Sequence, residues 1–134
     1  NFICCVMVIL YVDDDPEDVE IFEEAVKETD SSIECLIAKN GKQAMEILQA
    51  DAIPDFIFLD INMPVINGKS LLLEIRKDKK FKDIPVVMYS TGANLKETEE
   101  YKKMGANHFL KKHNTFQELC DELSHILNSK LGGR

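Results

Sequence analysis

The sequence lacks the features that mark secreted, membrane-bound or nucleic-acid-binding proteins. Its four cysteines form no CxxC pair and each lies in an apolar segment, which is typical of reduced, buried thiols. The apolar run at the start is too short to span a bilayer and has no basic flank of a signal peptide. The net charge of −8 argues against binding to phosphate backbones. We therefore expect a cytoplasmic protein that binds neither membranes nor nucleic acid directly.

The sequence also lacks internal linkers, repeats and low-complexity segments. A chain of 134 residues without such breaks is of ordinary size for one domain and can bury a core without disulfides. We expect a single domain over residues 1–134, with a core of about 3–128 and a frayed tail at 129–134.

Short apolar runs alternate with amphipathic helical patterns along the whole chain. Short connections between five such pairs predict a parallel sheet with right-handed crossovers. The predicted fold is an α/β doubly wound, five-stranded parallel sheet with five helices, a flavodoxin-like three-layer sandwich. The predicted strands are Ile3–Val12, Ile33–Ala38, Phe56–Leu59, Pro85–Tyr89 and Ala106–Leu110. The predicted helices start at Asp15-Pro16, Asn40-Gly41, Leu71, Asn94 and Thr115, and the first, fourth and fifth end near Thr29, Met104 and Leu127.

Polar side chains follow the predicted strands at the edge of the sheet where ligands bind in open α/β folds. They are Asp13 and Asp14 after the first strand, Asp60 after the third, Ser90 and Thr91 after the fourth, and Lys111 and Lys112 after the fifth. Clustered carboxylates repel one another unless a cation neutralises them. Because Mg²⁺ takes oxygen ligands and keeps waters that a phosphate oxygen can replace, it is the expected cofactor.

Together these residues suit phosphoryl transfer, in which a protein mainly positions groups and neutralises charge. A lysine and a hydroxyl can each bind a phosphoryl oxygen. Asp60 is the best candidate nucleophile, since a carboxylate can accept a phosphoryl group as a mixed anhydride.

Four segments resemble the receiver domain of bacterial two-component response regulators, and the resemblance covers nearly the whole chain. They are YVDDDP, DFIFLDINMPVING, IPVVMYS and GANHFLKK, in the order and spacing of that family. The chain is most similar to stand-alone, CheY-like receivers that work with phytochrome-like or other sensor histidine kinases.

The resemblance implies an acidic metal pocket around the phosphoacceptor Asp60. Asp13 and Asp14 are the acidic pair of this pocket. Mg²⁺ is then held by Asp14, Asp60 and the backbone carbonyl of Asn62.

The resemblance also implies a conformational switch. Ser90 takes the place of the switch hydroxyl, Lys112 that of the family's lysine, and Phe109 that of the aromatic whose rotamer follows phosphorylation. One departure concerns His113, which stands where the family usually has a cis-proline that helps to aim the lysine. A cis bond before a residue other than proline costs about 2.5–4 kcal/mol, so the isomer of the Lys112–His113 bond stays open.

By this resemblance the protein takes a phosphoryl group from a sensor histidine kinase or a phosphotransfer protein and signals to a downstream protein through a changed binding face. It would not be an enzyme, beyond assisting its own phosphorylation and dephosphorylation, and would be a monomer or a phosphorylation-linked homodimer. Two alternatives remain. One is a receiver-like interaction module that is not phosphorylated, and the other is a flavin carrier or aspartyl-phosphate hydrolase on a similar sheet. DDDPED after the first strand disfavours a flavodoxin, and Asn62 disfavours the hydrolase, which needs an aspartate there.

Overall fold

The computed structural model describes residues 6–50, 53–61, 68–92, 94–112 and 115–132, with only the backbone of 130–132. Strands and helices alternate strictly along these residues, as the sequence predicts. The strands are β1 (Val8–Val12), β2 (Glu34–Ala38), β3 (Phe56–Asp60), β4 (Val86–Ser90) and β5 (His108–Lys111). The helices are α1 (Pro16–Thr29), α2 (Gly41–Gln49), α3 (Gly68–Lys77), α4 (Leu95–Lys103) and α5 (Phe116–Gly132).

The five strands form one parallel sheet in the order β2-β1-β3-β4-β5. This order confirms the predicted flavodoxin-like fold. The chain crosses from one side of β1 to the other between β2 and β3, so the carboxyl ends of β1 and β3 flank the switch point where such sheets bind ligands. Of the described helices, none is both long and apolar enough to cross a membrane.

Two apolar layers cover the faces of the sheet. One joins alternate strand residues such as Tyr11 and Phe58 to Phe22 of α1 and Leu123 of α5. The other joins the intervening strand residues to α2, α3 and α4. Both faces of β3 are therefore buried, which explains the unbroken apolar run that precedes Asp60.

Polar N-caps fix where three helices begin. Asp15 accepts a hydrogen bond from the Glu17 amide with Pro16 at the first helical position, which confirms the predicted start of α1. Asn40 caps α2 and Asn94 caps α4 in the same way. The start of α1 matters for the site, because it sets which residues of the first helical turn face the end of β1.

Several predicted boundaries differ from the structure: α3 begins at Gly68 rather than Leu71 and β5 at His108 rather than Ala106, and the first strand and last helix also differ. The first strand was expected from Ile3, but β1 begins at Val8, where its partner β2 also begins at Glu34. Val6 and Met7 therefore lie outside the strand, because the pairing with β2 starts only at Val8. At the other end, α5 continues past Leu127 to Gly132, so residues 129–132, expected to fray, are helical. Residues 1–5 and 133–134 lie outside the described residues.

At the edge of the sheet opposite the carboxyl ends of the strands, one arginine donates hydrogen bonds to several connecting segments. Arg76 of α3 donates to the backbone carbonyls of Phe81, Ile84 and Gly105 at 2.8–3.1 Å. It also donates to Asn107 Oδ1, which accepts the backbone amide of Val86 as well. Burial lowers the pKa of this guanidinium, and the Asp83 charge only partly opposes that effect.

Candidate functional site

Three carboxylates converge where β1 and β3 end. Asp13 follows β1 and is fully buried, Asp60 is the last residue of β3 and is 3% exposed, and Asp14 is exposed. One oxygen of each lies within 4.8 Å of an oxygen of the others. The register of the parallel sheet produces this cluster, since Val12 of β1 pairs with Leu59 of β3 and the next residue of each strand carries the acid. The convergence predicted for these three residues is confirmed.

The amine of Lys112 lies among the carboxylates. Its Nζ is 2.9 Å from Oδ1 of Asp60, 3.0 Å from Oδ2 of Asp18 and 3.4 Å from Oδ2 of Asp13. The side chain of Lys112 is only 9% exposed. An ammonium group has three donors, so these three carboxylates can occupy all of them.

Two neighbours of β4 set the position of Lys112. Its backbone amide donates to the carbonyl of Ser90 at 2.8 Å, which extends the β4–β5 pairing by one residue. Its Nζ also lies 5.3 Å from the centre of the Tyr89 ring, within the range of a cation–π contact. Lys112, rather than the exposed Lys111, is therefore the lysine directed into the cluster.

Asp13 is held by two further donors besides Lys112. The hydroxyl of Tyr11 donates to Oδ2 of Asp13 in a short hydrogen bond, and the backbone amide of Asp15 donates to Oδ1 at 3.0 Å. Tyr11 is itself fully buried, and its ring stacks on Phe22 of α1 at 4.0 Å between ring centres. Every contact therefore favours one orientation of a carboxylate that has no access to solvent.

The site changes the pKa of three groups. Burial lowers the pKa of Lys112, but the hydrogen bonds to Asp60 and Asp18 and the charges of Asp60 and Asp13 raise it by more, so the ammonium form is favoured. Burial, reinforced by the hydrogen bond to Asp13, raises the pKa of Tyr11 far above its ordinary value. Burial raises the pKa of Tyr89 to about 12, although the Lys112 charge opposes it. At neutral pH both tyrosines are neutral and Lys112 is charged.

The donor set fits a hard divalent cation. All three clustered ligands are carboxylate oxygens, which Mg²⁺ and Mn²⁺ prefer, and Asp14 lies open to solvent and so leaves a route of entry. The charge balance supports the same conclusion. Among the described residues, Lys112 is the cation that contacts Asp13, Asp18 and Asp60, and the carboxylate of Asp14 lies in the same cluster. The cluster can therefore accept more positive charge.

The remaining predicted residues lie around this cluster. Ser90 ends β4 and is 8% exposed, whereas Thr91 is exposed. Phe109 on β5 is partly buried, and its ring centre lies 6.5 Å from that of Tyr101 on α4. Asn62, proposed to supply a carbonyl ligand, and His113, which bears on the Lys112–His113 bond, lie outside the described residues.

Two contacts of the site were not predicted from the sequence. In the sequence, Asp18 is an acid in the first turn of the first helix and Tyr11 is part of an apolar strand, and neither position by itself indicates a site residue. The sequence does contain an indication of the Tyr11 contact. Residues two apart on a strand point to the same face, and Asp13 follows Tyr11 at that spacing. No sequence pattern indicates the Asp18 contact, since it depends on the path of a lysine that follows a distant strand.

Comparison with known proteins agrees with this geometry. The sequence profile of the response regulator receiver domain matches residues 9–124. Chemotaxis protein CheY1 of Helicobacter pylori is 32% identical over 116 residues, which cover 84% of this chain and 94% of that protein.

Two solved structures share the fold over most of their length. The phosphorylated cyanobacterial phytochrome response regulator RcpA superposes with a TM-score of 0.81 at 27% identity, over 91% of each chain. The Mn²⁺-bound form of response regulator Rcp1 superposes with a TM-score of 0.76 at 29% identity, over 90% of this chain and 91% of that one.

Proposed function

The chain belongs to the response regulator receiver domain family, and from this premise we propose that it is a phosphorylation switch in which Asp60 accepts the phosphoryl group. The observation that carries the proposal is the contact between Asp60 and Lys112. Asp60 ends a central strand, nearly closed to solvent, with the lysine amine 2.9 Å from its Oδ1 and two further carboxylates in the same cluster.

The expected donor is a phosphohistidine of a sensor histidine kinase or of a phosphotransfer protein. An oxygen of Asp60 attacks phosphorus, the P–N bond breaks, and its electron pair leaves with the histidine nitrogen, which takes up a proton. Asp60 needs no general base because it is already a carboxylate. The product is an acyl phosphate whose new negative charge lies beside the amine of Lys112.

Mg²⁺ is the proposed cofactor, held by Asp14, Asp60 and the Asn62 carbonyl, with Asp13 completing the acidic pocket. When bound, a divalent cation would offset carboxylate charge and polarise a phosphoryl oxygen. The similarity to a Mn²⁺-bound response regulator supports a site of this kind.

Within this proposal the chain's own residues divide the remaining tasks. Lys112 supplies a fixed positive charge for one phosphoryl oxygen, and the hydroxyl of Ser90 is the proposed donor to another. The backbone bond from the Lys112 amide to the Ser90 carbonyl couples the ends of β4 and β5. A shift of Ser90 would therefore also affect β5, which carries Phe109 next to Tyr101 of α4. The proposed output is a changed protein-binding face, with a downstream protein or a second copy as partner.

A receiver-like interaction module that is never phosphorylated is the competing function. The buried Lys112–Asp60 pair favours the switch, because burying this many charges costs stability and needs a functional reason. We infer a signalling protein rather than an enzyme with an external substrate.

The test is intact-protein mass after incubation with Mg²⁺ and acetyl phosphate, beside Asp60→Asn. A gain of one phosphoryl group in the parent, absent in Asp60→Asn and without Mg²⁺, is the expected result. Asp55→Asn is the matched control, since it alters another aspartate next to β3 that accepts the Val8 amide outside the cluster. No gain in a folded parent would reject the switch and favour the interaction module.

A further inference from the structure

The first turn of α1 places Asp18 beside the amine of Lys112. Its Oδ2 accepts from Nζ at 3.0 Å, practically the distance of Asp60 at 2.9 Å. The side chain of Asp18 is 32% exposed, whereas those of Asp13 and Asp60 are 0% and 4% exposed. Asp18 is therefore the one acid of the three that solvent reaches easily.

Asp18 is a different kind of group from the proposed metal ligands. Among the described residues, the carboxylates close enough to share a cation are Asp13, Asp14 and Asp60. Asp18 contacts the lysine but lies outside that set of carboxylates. The capped start of α1 places it there, with Asp15 as N-cap and Pro16 following. Its position is thus fixed by the helix.

A phosphoryl group on Asp60 needs a donor from Lys112, and the lysine has only three. In the structure Asp60, Asp18 and Asp13 can use all three. Phosphorylation makes the Asp60 carboxylate a weaker acceptor and brings several anionic oxygens to the amine, so the phosphoryl group competes with Asp13 and Asp18 for the donors of Lys112. Asp13 is buried and would lose its cationic partner without gaining water, a costly change. Asp18 can be rehydrated as it is released, so it is the contact that costs least to give up.

We propose that Asp18 is a positioning residue that competes with the phosphoryl group on Asp60 for the amine of Lys112. This inference rests on the proposed function. Before phosphorylation, Asp18 positions the amine of Lys112. After phosphorylation, it weakens the binding of that amine to the phosphoryl group. It limits how fully the phosphorylated state is populated without touching the reacting atoms.

The experiment uses trifluoroberyllate, an analogue of the phosphoryl group, added with Mg²⁺ and followed by ¹⁹F NMR to give a Kd. Asp18→Ala is compared with the parent and with Glu17→Ala, which removes the neighbouring, exposed acid of the same helical turn. Asp18→Ala is expected to tighten binding by about two- to fivefold, the size of a partly exposed ion pair. Glu17→Ala is expected to change it by less than about 1.5-fold, because solvent screens an exposed charge.

A double-mutant cycle separates competition for the lysine from simple charge repulsion. In a Lys112→Met background, Asp18→Ala should no longer tighten binding, since the contested amine is gone. Lys112→Gln is a second background, used if Lys112→Met does not fold.

Three results would overturn the inference. Asp18→Ala could bind no more tightly than Glu17→Ala, or it could keep its full effect without Lys112, and either result removes the role of Asp18 while leaving phosphorylation of Asp60 intact. If the folded parent binds no more trifluoroberyllate than Asp60→Asn does, both the inference and the proposed function fail.

Discussion

Lys112 Nζ lies 2.9 Å from Oδ1 of Asp60, and the side chains of the two residues are only 9% and 4% exposed. The lysine comes from the end of β5 and the aspartate from the end of β3, with β4 between them in the sheet. This pair closes a cluster in which one ammonium group offsets several carboxylates. The stability of the fold and the chemistry of the site therefore depend on the same charges.

Replacing Lys112 with methionine should destabilise the protein. It leaves Asp13 and Asp60 buried without their cationic partner, and breaking a buried pair in this way typically costs about 3–5 kcal/mol. Urea unfolding should show this loss, and Mg²⁺ should recover more stability in Lys112→Met than in the parent. Lys111→Met, at the neighbouring exposed position, is the control and should stay near the parent. Equal losses in the two variants would contradict the electrostatic explanation.

Removing the exposed acid of the cluster should remove most of the stability that a bound metal ion adds. A ligand at ten times its Kd stabilises the folded state by about 1.4 kcal/mol, so Mg²⁺ or Mn²⁺ should raise the Tm of the parent measurably. Asp14→Asn should lose most of this rise and should differ from the parent by no more than about 0.5 kcal/mol without metal, because Asp14 is exposed. Calorimetry with and without metal measures the rise in Tm and the difference in stability between the metal-free proteins. Glu17→Gln should keep the full rise, and a full rise in Asp14→Asn would remove Asp14 from the ligand set.

The hydroxyl of Tyr11 should contribute to stability through Asp13. Tyr11→Phe keeps the buried ring but deprives a fully buried carboxylate of a donor, at an expected cost of about 2 kcal/mol. Chemical unfolding checks the value. Tyr101→Phe removes the same hydroxyl from a tyrosine on α4, outside the carboxylate cluster, and should cost less. A loss in Tyr11→Phe no larger than in Tyr101→Phe would mean that the bond to Asp13 adds nothing to stability.

Stability should fall at alkaline pH. The folded-state pKa values of Tyr11, Tyr89 and Lys112 are all raised, so the folded protein keeps these protons after the unfolded chain has begun to lose them. The stability they contribute is complete below the unfolded pKa values of about 10 and is lost as pH rises towards the folded values. Each proton adds a slope of up to about 1.4 kcal/mol per pH unit. Urea unfolding from about pH 8 to about pH 11 measures the slope, which Tyr11→Phe should reduce.

The residues at the carboxyl ends of the strands could be predicted from the sequence. The contacts among their side chains could be predicted only in part. Asp60 could be placed because it ends an apolar run covered on both faces, and Asp13 because it ends another. The start of β1 at Val8 was not predictable, since it depends on where β2 begins. Asp18 was missed for a related reason. Its partner Lys112 follows a strand far away in the chain, and no local sequence pattern indicates that the two residues meet.

The connection from α4 to β5 requires glycine at position 105. Gly105 has a φ of +110°, which L-amino acids rarely adopt, and a Cβ there would lie 2.8 Å from Nε of Arg76. Gly105→Ala should therefore cost at least about 1–3 kcal/mol from the backbone alone and should also disturb the hydrogen bonds that Arg76 donates to the Gly105 carbonyl.

Gly92→Ala is the matched control for that substitution. A Cβ at Gly92 would meet no atom within 4 Å, and its φ is not positive, so the same change should be close to neutral. Thermal unfolding of the two variants gives the comparison. Because Arg76 and Gly105 lie at the opposite edge of the sheet from Asp60, Gly105→Ala should still take up a phosphoryl group under conditions where it is folded. Loss of both stability and phosphorylation at a temperature where the variant is folded would show that the two edges of the sheet are coupled.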